Sequence, residues 1–220
     1  MLPAAVLFDM DGTLVDTEHL WLMGEMATME ALGAQWTPED QIACLGGPLA
    51  RLTAYMIERS GSMLTDDEVG SILLSTMEEL FTTRDLAWQP GSAELLIEAA
   101  GLGIPVALVT ASWRSLTDAV LRSVQRDLGF MPFALSVAGD EVVNGKPHPE
   151  PYLTAASTLG VSIADCLVLE DSPTGVRAGQ ASGAYVVAVP RMTTIDDAPR
   201  TMIVPTLEGL TLERLSDWIR

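Results

Sequence analysis

Carboxylates, a threonine and a lysine stand at or just beyond the ends of four apolar segments of the sequence. In chain order they are Asp9 and Asp11, Thr110, Lys146, and the pair Glu170 and Asp171. Phosphoryl transfer needs an in-line nucleophile, neutralisation of the phosphoryl oxygens and a proton donor for the leaving oxygen. The residue types in this set are suited to that chemistry.

The two aspartates near the start of the chain have different predicted roles. We expect Asp9 to be a carboxylate nucleophile, which splits hydrolysis into the formation and the breakdown of an acyl phosphate. We expect Asp11 to protonate the leaving alcohol and then to take a proton from the attacking water. Gly12 permits a tight backbone turn beside the phosphate.

The expected phosphate contacts come from the segment that begins at Thr110 and from Lys146. The Thr110 hydroxyl is predicted to donate to a phosphoryl oxygen. The amides of Ala111 and Ser112 lead into a helix, and the N-terminus of a helix favours anions. Lys146 adds a compact positive charge and is expected to hold Asp9 ionised and oriented.

Several carboxylates stay ionised beside a phosphate dianion only when a cation joins them. Hard oxygen ligands with water in reserve suit Mg²⁺, which is the predicted cofactor. We expect Asp9, Asp171 and the backbone carbonyl of Asp11 to be metal ligands. Glu170 binds the metal either directly or through water, and the sequence leaves this alternative open.

The elements that must position these groups follow from the hydrophobic pattern. An apolar strand over residues 4–8 precedes a stretch of helical periodicity over residues 17–84, which predicts an all-helical insert. From residue 92 onward, predicted helices and continuous apolar strands alternate; the strands cover residues 104–109, 134–137, 166–169 and 185–189. This alternation predicts an α/β protein: a three-layer, Rossmann-like core with a parallel sheet covered on both faces, and an inserted all-helical cap domain. Ligands of such sheets bind beyond the carboxyl ends of the strands.

The amino-acid composition argues against several classes of binding partner. The formal net charge is −18 over 220 residues, which disfavours nucleic acid and anionic lipid. No apolar run has membrane-spanning length, the first residues lack the pattern of a secretory leader, and the two cysteines are too few for a disulfide framework. We expect a cytoplasmic protein, and a monomer because nothing in the sequence argues for a larger assembly. The phosphoryl-transfer residues predict a small phosphorylated metabolite as its partner.

The order of these motifs along the chain resembles that of a known family. The segment 9–17 (DMDGTLVDT), then Thr110, Gly145-Lys146-Pro147 and Glu170-Asp171-Ser172, resembles the motif set of the haloacid dehalogenase superfamily. The branch it resembles has a helical cap after the first strand and includes β-phosphoglucomutase. The resemblance implies a catalytic core over residues 1–16 and 88–220 and a cap over residues 17–87.

Segments that flank the same motifs are similar to bacterial 2-deoxyglucose-6-phosphate and hexitol-phosphate phosphatases. They are residues 16–21, 146–149 and 169–172. The family resemblance implies that Asp9 is the nucleophile, Asp11 the acid and base, Thr110 and Lys146 the phosphate binders, and Asp171 a metal ligand.

Met10 and Arg51 complete the residues predicted to contact phosphate or substrate. The resemblance places substrate choice in the cap, whose loop over residues 45–51 ends at Arg51. We expect Arg51 to meet a distal substrate group, and an exposed ion pair is the alternative role for this arginine.

Other activities of the family compete with a phosphatase. A phosphoglucomutase of this branch has a histidine where Trp21 stands here, and His19 lies two positions too early. A dehalogenase has no use for Asp11, and a phosphonate-cleaving enzyme needs a cap lysine, whereas residues 17–87 contain none. A catalytically silent ligand-binding module is the alternative outside enzymes, and the complete motif set argues against it.

Overall fold

The structure is a computed structural model that describes residues 2–44, 49–191 and 194–219. The chain divides into two compact units. One contains Met1–Asp16 and Leu86–Arg220, and the other contains Thr17–Asp85.

A six-stranded parallel sheet forms the centre of the first unit. Its strands are β1 (Ala5–Phe8), β4 (Val106–Val109), β5 (Leu135–Val137), β6 (Cys166–Glu170), β7 (Tyr185–Ala188) and β8 (Thr201–Ile203). Their order across the sheet is β5-β4-β1-β6-β7-β8, and every neighbouring pair is parallel. Every residue of β1, β4, β6 and β7 is buried, because helices cover a parallel sheet on both faces.

Five α-helices connect and cover the strands. They are α5 (Ser92–Gly101), α6 (Arg114–Leu128), α7 (Glu150–Leu159), α8 (Pro173–Ser182) and α9 (Leu212–Trp218). Apolar residues of α7 and α8 share one core cluster with alternate residues of β1, β4, β6 and β7. α5 packs against β4 and α9. This α/β arrangement of a parallel sheet surrounded by helices confirms the predicted fold class.

A short antiparallel pair lies where the chain leaves the first unit and returns to it. β2 (Val15–Asp16) pairs with β3 (Ala87–Trp88). The carbonyl of Leu14 accepts from the Gln89 amide at 3.0 Å and from the Ser92 hydroxyl at 2.8 Å. These bonds hold the two connecting segments side by side.

The second unit is all helical. Its helices are α1 (Glu18–Ala31), α2 (Pro38–Cys44), α3 (Leu49–Ser60) and α4 (Asp66–Thr83). α4 packs on α1 and α3, and a Cβ atom at Gly24 would lie 2.2 Å from Met77 Sδ, so α1 and α4 are in close contact. Thr65 and Glu68 form a reciprocal capping box that begins α4.

Most predicted elements of the core occur with small shifts at their ends. The strand predicted over residues 104–109 begins at Val106, and the strand predicted over residues 166–169 extends to Glu170. The sequence patterns did not predict β8 or α9. In the described residues, no helix combines the length and the apolar composition needed to cross a bilayer.

Candidate active site

The carboxyl ends of three neighbouring strands bring the predicted chemical groups together. β4, β1 and β6 are adjacent in the sheet, so the residues at their ends meet at one edge. Asp9 follows β1, Thr110 follows β4, and Glu170 ends β6. Asp9, Thr110 and Glu170 are all buried.

Lys146 reaches this edge from the loop after β5. Its Nζ atom donates to Asp9 Oδ1 at 2.6 Å, to Glu170 Oε1 at 2.7 Å and to the Val109 carbonyl at 2.8 Å. An ammonium group has three hydrogens, so these contacts account for all of them. The Lys146 side chain is only 4% exposed, and its three partners fix the position of the charge.

Glu170 is held through both of its oxygens. Oε1 accepts from Lys146 and from the Tyr152 hydroxyl at 2.7 Å, and Oε2 accepts from the Ser172 amide at 3.3 Å and the Ser172 hydroxyl at 3.1 Å. The Lys146 ammonium also lies 5.0 Å from the centre of the Tyr152 ring, within the range of a cation–π contact. The sequence prediction missed Tyr152. The available signal was that a tyrosine buried on an apolar helix face needs a partner for its hydroxyl.

Negative charge exceeds positive charge in this cluster. Burial and the charge of Glu170 raise the pKa of Asp9 well above its usual value, although Lys146 acts in the opposite direction. The same two causes raise the pKa of Asp171 to about 7. Burial alone would lower the pKa of Lys146, but Asp9 and Glu170 outweigh it and raise that pKa. The site therefore favours an additional cation.

The donor set fits a divalent cation with oxygen ligands. Asp9, Glu170 and Asp171 each offer a carboxylate oxygen, and these oxygens lie within 4.8 Å of one another. Hard carboxylate ligands of this kind are typical of Mg²⁺ sites. Gly12 makes room for one of them: its φ is +83°, and a Cβ atom there would lie 2.2 Å from Asp171 Oδ2.

Asp11 contacts the segment that follows β4. The Ser112 hydroxyl donates to Asp11 Oδ2 at 2.6 Å. The Ser112 amide donates to Thr110 Oγ1 at 2.9 Å, so this amide is engaged within its own loop. A hydroxyl that accepts one bond still has its own hydrogen to donate, as the predicted phosphate contact of Thr110 requires.

The N-terminus of α6 already has a carboxylate partner. The Arg114 amide donates to Asp140 Oδ1 at 2.9 Å. The Arg114 guanidinium binds Asp118 at 3.2 Å and Glu141 at 3.0 Å. These contacts tie the start of α6 to the short 3₁₀ helix Gly139–Glu141.

The other predicted contact residues occupy different settings. The Met10 side chain is completely buried, so only the backbone of Met10 is available to contact a phosphate. Ala111 is exposed. Arg51 lies on α3 in the second unit, where its guanidinium donates to the Ala43 carbonyl at 2.7 Å. The predicted cap loop includes residues 45–48, which lie outside the described residues.

Ligands of α/β proteins bind at the carboxyl edge of the parallel sheet, so the acidic cluster and the buried lysine lie where the active site of an α/β enzyme would be. Residues 6–189 match the family of haloacid dehalogenase-like hydrolases. The chain belongs to this family, which confirms the resemblance that the motifs predicted.

Curated relatives cover most of the chain. It is 34% identical over 189 residues to a probable pseudouridine-5'-phosphatase of Drosophila melanogaster, a match covering 84% of this chain and 80% of the relative. It is 30% identical over 220 residues to hexitol phosphatase A of Escherichia coli, covering 94% of this chain and 93% of the relative. The phosphatases among these relatives support phosphoric monoester hydrolysis as the reaction class of this enzyme.

A solved structure extends the comparison to the fold. The crystal structure of CbbY from Rhodobacter sphaeroides in complex with phosphate has a TM-score of 0.86 and 26% sequence identity. The match covers 98% of this chain and 100% of that chain. The two proteins therefore share their fold over nearly their whole length.

Proposed function

We propose that this protein is a Mg²⁺-dependent phosphatase that hydrolyses small phosphate monoesters through an aspartyl-phosphate on Asp9. The observation that carries the proposal is the position of the Lys146 ammonium, 2.6 Å from Asp9 Oδ1 and 2.7 Å from Glu170 Oε1. This contact favours the ionised, nucleophilic form of Asp9, which burial alone would oppose.

The first chemical step transfers the phosphoryl group to the protein. The Asp9 carboxylate attacks phosphorus, and the bond from phosphorus to the leaving oxygen breaks. Asp11 gives its proton to that oxygen, so an alcohol leaves. The positive charge of Lys146 and a hydrogen bond from the Thr110 hydroxyl stabilise the charge on the phosphoryl oxygens.

The second step returns the enzyme to its starting state. The Asp11 carboxylate takes a proton from a water molecule, and the oxygen of that water attacks the phosphorus of the aspartyl-phosphate. The bond between Asp9 and phosphorus breaks, inorganic phosphate leaves, and Asp11 is protonated again for the next cycle.

Mg²⁺ fits the carboxylates of Asp9 and Asp171 together with the backbone carbonyl of Asp11. When bound, it neutralises the charge shared by these carboxylates and the substrate phosphate. Glu170 already accepts four hydrogen bonds, one of them from Lys146. These bonds support a role for Glu170 in positioning Lys146, whether or not Glu170 also contacts the ion.

The proposed substrates are sugar or polyol phosphates. The similarity to hexitol phosphatase A supports this class, and the similarity to a CbbY structure in complex with xylulose-(1,5)bisphosphate supports phosphorylated sugars in general. A single buried lysine in a protein of net charge −18 favours a small phosphate ester over a polyanion. A monomeric state and a cytoplasmic location stay predictions.

Phosphate release from p-nitrophenyl phosphate, sorbitol 6-phosphate, glucose 6-phosphate and pseudouridine 5'-phosphate tests the proposal. Activity should require Mg²⁺, disappear with a chelator and be lost in Asp9→Asn. Asp165→Asn is the matched control, because Asp165 immediately precedes β6, at the end of that strand opposite the site. Acid-quenched wild-type protein should carry a phosphoryl group on the peptide that contains Asp9.

Two results would contradict the proposal. Full activity in Asp9→Asn would exclude this residue as the nucleophile. Interconversion of glucose 1-phosphate and glucose 6-phosphate faster than phosphate release would identify a mutase instead of a hydrolase.

A further inference from the structure

We propose that Ser112 is a positioning residue that orients the Asp11 carboxyl for proton transfer to the leaving group. This inference rests on the proposed function, because it assigns Asp11 the role of acid and base. It gives the Ser112 side chain a role different from direct phosphate binding.

The contact itself is short and well defined. The Ser112 hydroxyl lies 2.6 Å from Asp11 Oδ2, the distance of a strong bond from a hydroxyl to a carboxylate. Ser112 is 8% exposed, whereas Asp11 is half-buried. The contact joins the loop after β1 to the loop after β4.

Both backbone groups of Ser112 are fixed. Its amide donates to Thr110 Oγ1 at 2.9 Å, and its carbonyl accepts from the Gly139 amide at 2.8 Å. The loop approaches Gly139 so closely that a Cβ atom on that glycine would lie 2.1 Å from the Ala111 carbonyl oxygen. Because the backbone of Ser112 is fixed on both sides, its hydroxyl presents a fixed donor to Asp11.

A fixed donor limits the rotation of the Asp11 carboxyl. Proton transfer is efficient only when the acid is aligned with the leaving oxygen, so a freely rotating carboxyl spends less time in a productive orientation. In this step the proton moves from Asp11 to the leaving oxygen, while the hydroxyl hydrogen of Ser112 stays on Ser112. The serine acts through Asp11 and does not contact the reacting atoms.

The chemistry of the leaving group separates positioning from phosphate binding. An alkyl alcohol must receive a proton as it leaves, whereas p-nitrophenolate is a stable anion and needs little help. Loss of the Ser112 hydroxyl should therefore lower kcat/KM more for sorbitol 6-phosphate or glucose 6-phosphate than for p-nitrophenyl phosphate. The ratio kcat/KM reports the transfer from substrate to Asp9, whereas kcat also contains the hydrolysis of the aspartyl-phosphate, which is the same for every substrate.

The experiment compares Ser112→Ala with Asp11→Asn and with the double variant. In Ser112→Ala we expect kcat/KM for the alkyl ester to fall about 10-fold or more, and at least about 5-fold more than for p-nitrophenyl phosphate. Inhibition by inorganic phosphate should stay close to that of the wild type. In the Asp11→Asn background the serine substitution should cause no further change in the ratio of the two rates, since the two residues act as one unit.

Ser123→Ala is the control, because Ser123 is a buried serine later in α6. Equal losses on both substrates together with weaker phosphate inhibition would overturn the inference and make Ser112 a phosphate ligand. Unchanged rates on both substrates would also overturn it. Failure of the proposed function would look different, since activity would then survive in Asp9→Asn.

Discussion

Gly175 leaves the space that the Glu170 carboxylate fills. A Cβ atom at Gly175 would lie 1.7 Å from Glu170 Oε1 and 2.1 Å from Oε2. Gly175 is on α8, and the side chain it accommodates is the one that accepts hydrogen bonds from Lys146 and Tyr152. A glycine in the helix after β6 therefore determines whether the buried lysine keeps its second carboxylate partner.

Replacement of Gly175 should damage the site and the stability together. In Gly175→Ala the new methyl group forces Glu170 to move, and we expect a loss of about 1–3 kcal/mol in the free energy of unfolding. We also expect a fall in kcat of at least about 10-fold, because Lys146 loses its alignment with Asp9. Chemical denaturation and steady-state kinetics measure the two effects.

Gly101→Ala is the matched control for this substitution. Gly101 is the last residue of α5, and a Cβ atom there meets nothing within 4 Å. Alanine should stabilise the protein by up to about 1 kcal/mol at that position. A Gly175→Ala variant as stable and active as Gly101→Ala would show that Glu170 is not needed where the structure places it.

Removal of the Tyr152 hydroxyl should affect activity with little change in packing. Burial and the charge of Glu170 raise the pKa of Tyr152 well above its usual value, so the hydroxyl stays protonated and donates to Glu170. Tyr152→Phe keeps the ring beneath the Lys146 ammonium and leaves Glu170 Oε1 one donor short, at a cost of about 1–2 kcal/mol. We expect a lower kcat with a nearly unchanged KM. Tyr185→Phe, on β7, controls for the loss of a tyrosine hydroxyl elsewhere in the core, and equal kinetic effects of the two substitutions would contradict the prediction.

Mg²⁺ should bind more weakly as the pH falls below neutrality. The pKa of Asp171 is raised to about 7 by burial and by Glu170, so below this pH a proton occupies the carboxylate that the ion needs. Competition with one proton lowers the apparent affinity by about tenfold for each pH unit below 7. The rise in Tm on addition of Mg²⁺ to the protein should accordingly be larger at pH 8 than at pH 6. Asp171→Asn should show a smaller Tm shift than the wild type at pH 8, and an equal Tm shift at both pH values in the wild type would contradict the assignment.

Glu25 should make the second unit less stable at neutral pH than at acidic pH. Burial raises the pKa of Glu25 to about 7, although the Trp36 indole donates to it at 2.9 Å. At pH values between the usual pKa of a glutamate and 7, the folded state therefore keeps a proton on Glu25 that the unfolded state has already released. Stability contributed by this proton is present at acidic pH and decreases as the pH rises through that window, by an amount on the order of 2 kcal/mol.

Thermal unfolding from pH 4.5 to 8 of Glu25→Gln tests this prediction. Glutamine keeps an acceptor for Trp36 and has no titrating proton, so the variant should gain stability relative to the wild type as the pH rises. Glu30→Gln, an exposed position on the same helix, should follow the wild-type pH profile. Parallel profiles for all three proteins would contradict the prediction.

The strand-end residues were predictable because their neighbours in the sequence are buried strands. Asp9 and Glu170 each adjoin four or more buried apolar positions, and such a run defines both the strand and the edge at which it ends. By contrast, β8 has half-exposed residues and lies between Pro199 and Pro205, so its sequence resembles a loop. It becomes a strand because β7 offers it an edge to pair with.

Contacts between side chains far apart in the chain were not predictable in the same way. The sequence placed Ser112 near a phosphate but not against Asp11, and it did not connect Tyr152 with Glu170. A hydrogen bond forms or fails within a few tenths of an ångström, and that distance depends on strand register and helix packing. A hydrophobic pattern specifies only the face and the order of the elements.

The sequence alone determined the order along the chain of the buried strands and of the chemical groups that follow them, and with it the fold class and the family. The tertiary structure decided which oxygen each donor meets. It brought Lys146 to Asp9 across 137 positions of the chain and Ser112 to Asp11 across 101. The physical reason is that the pattern of buried and exposed residues can be recognised in a short segment of the sequence. Charge pairing in a buried site depends instead on the packed arrangement of the whole core.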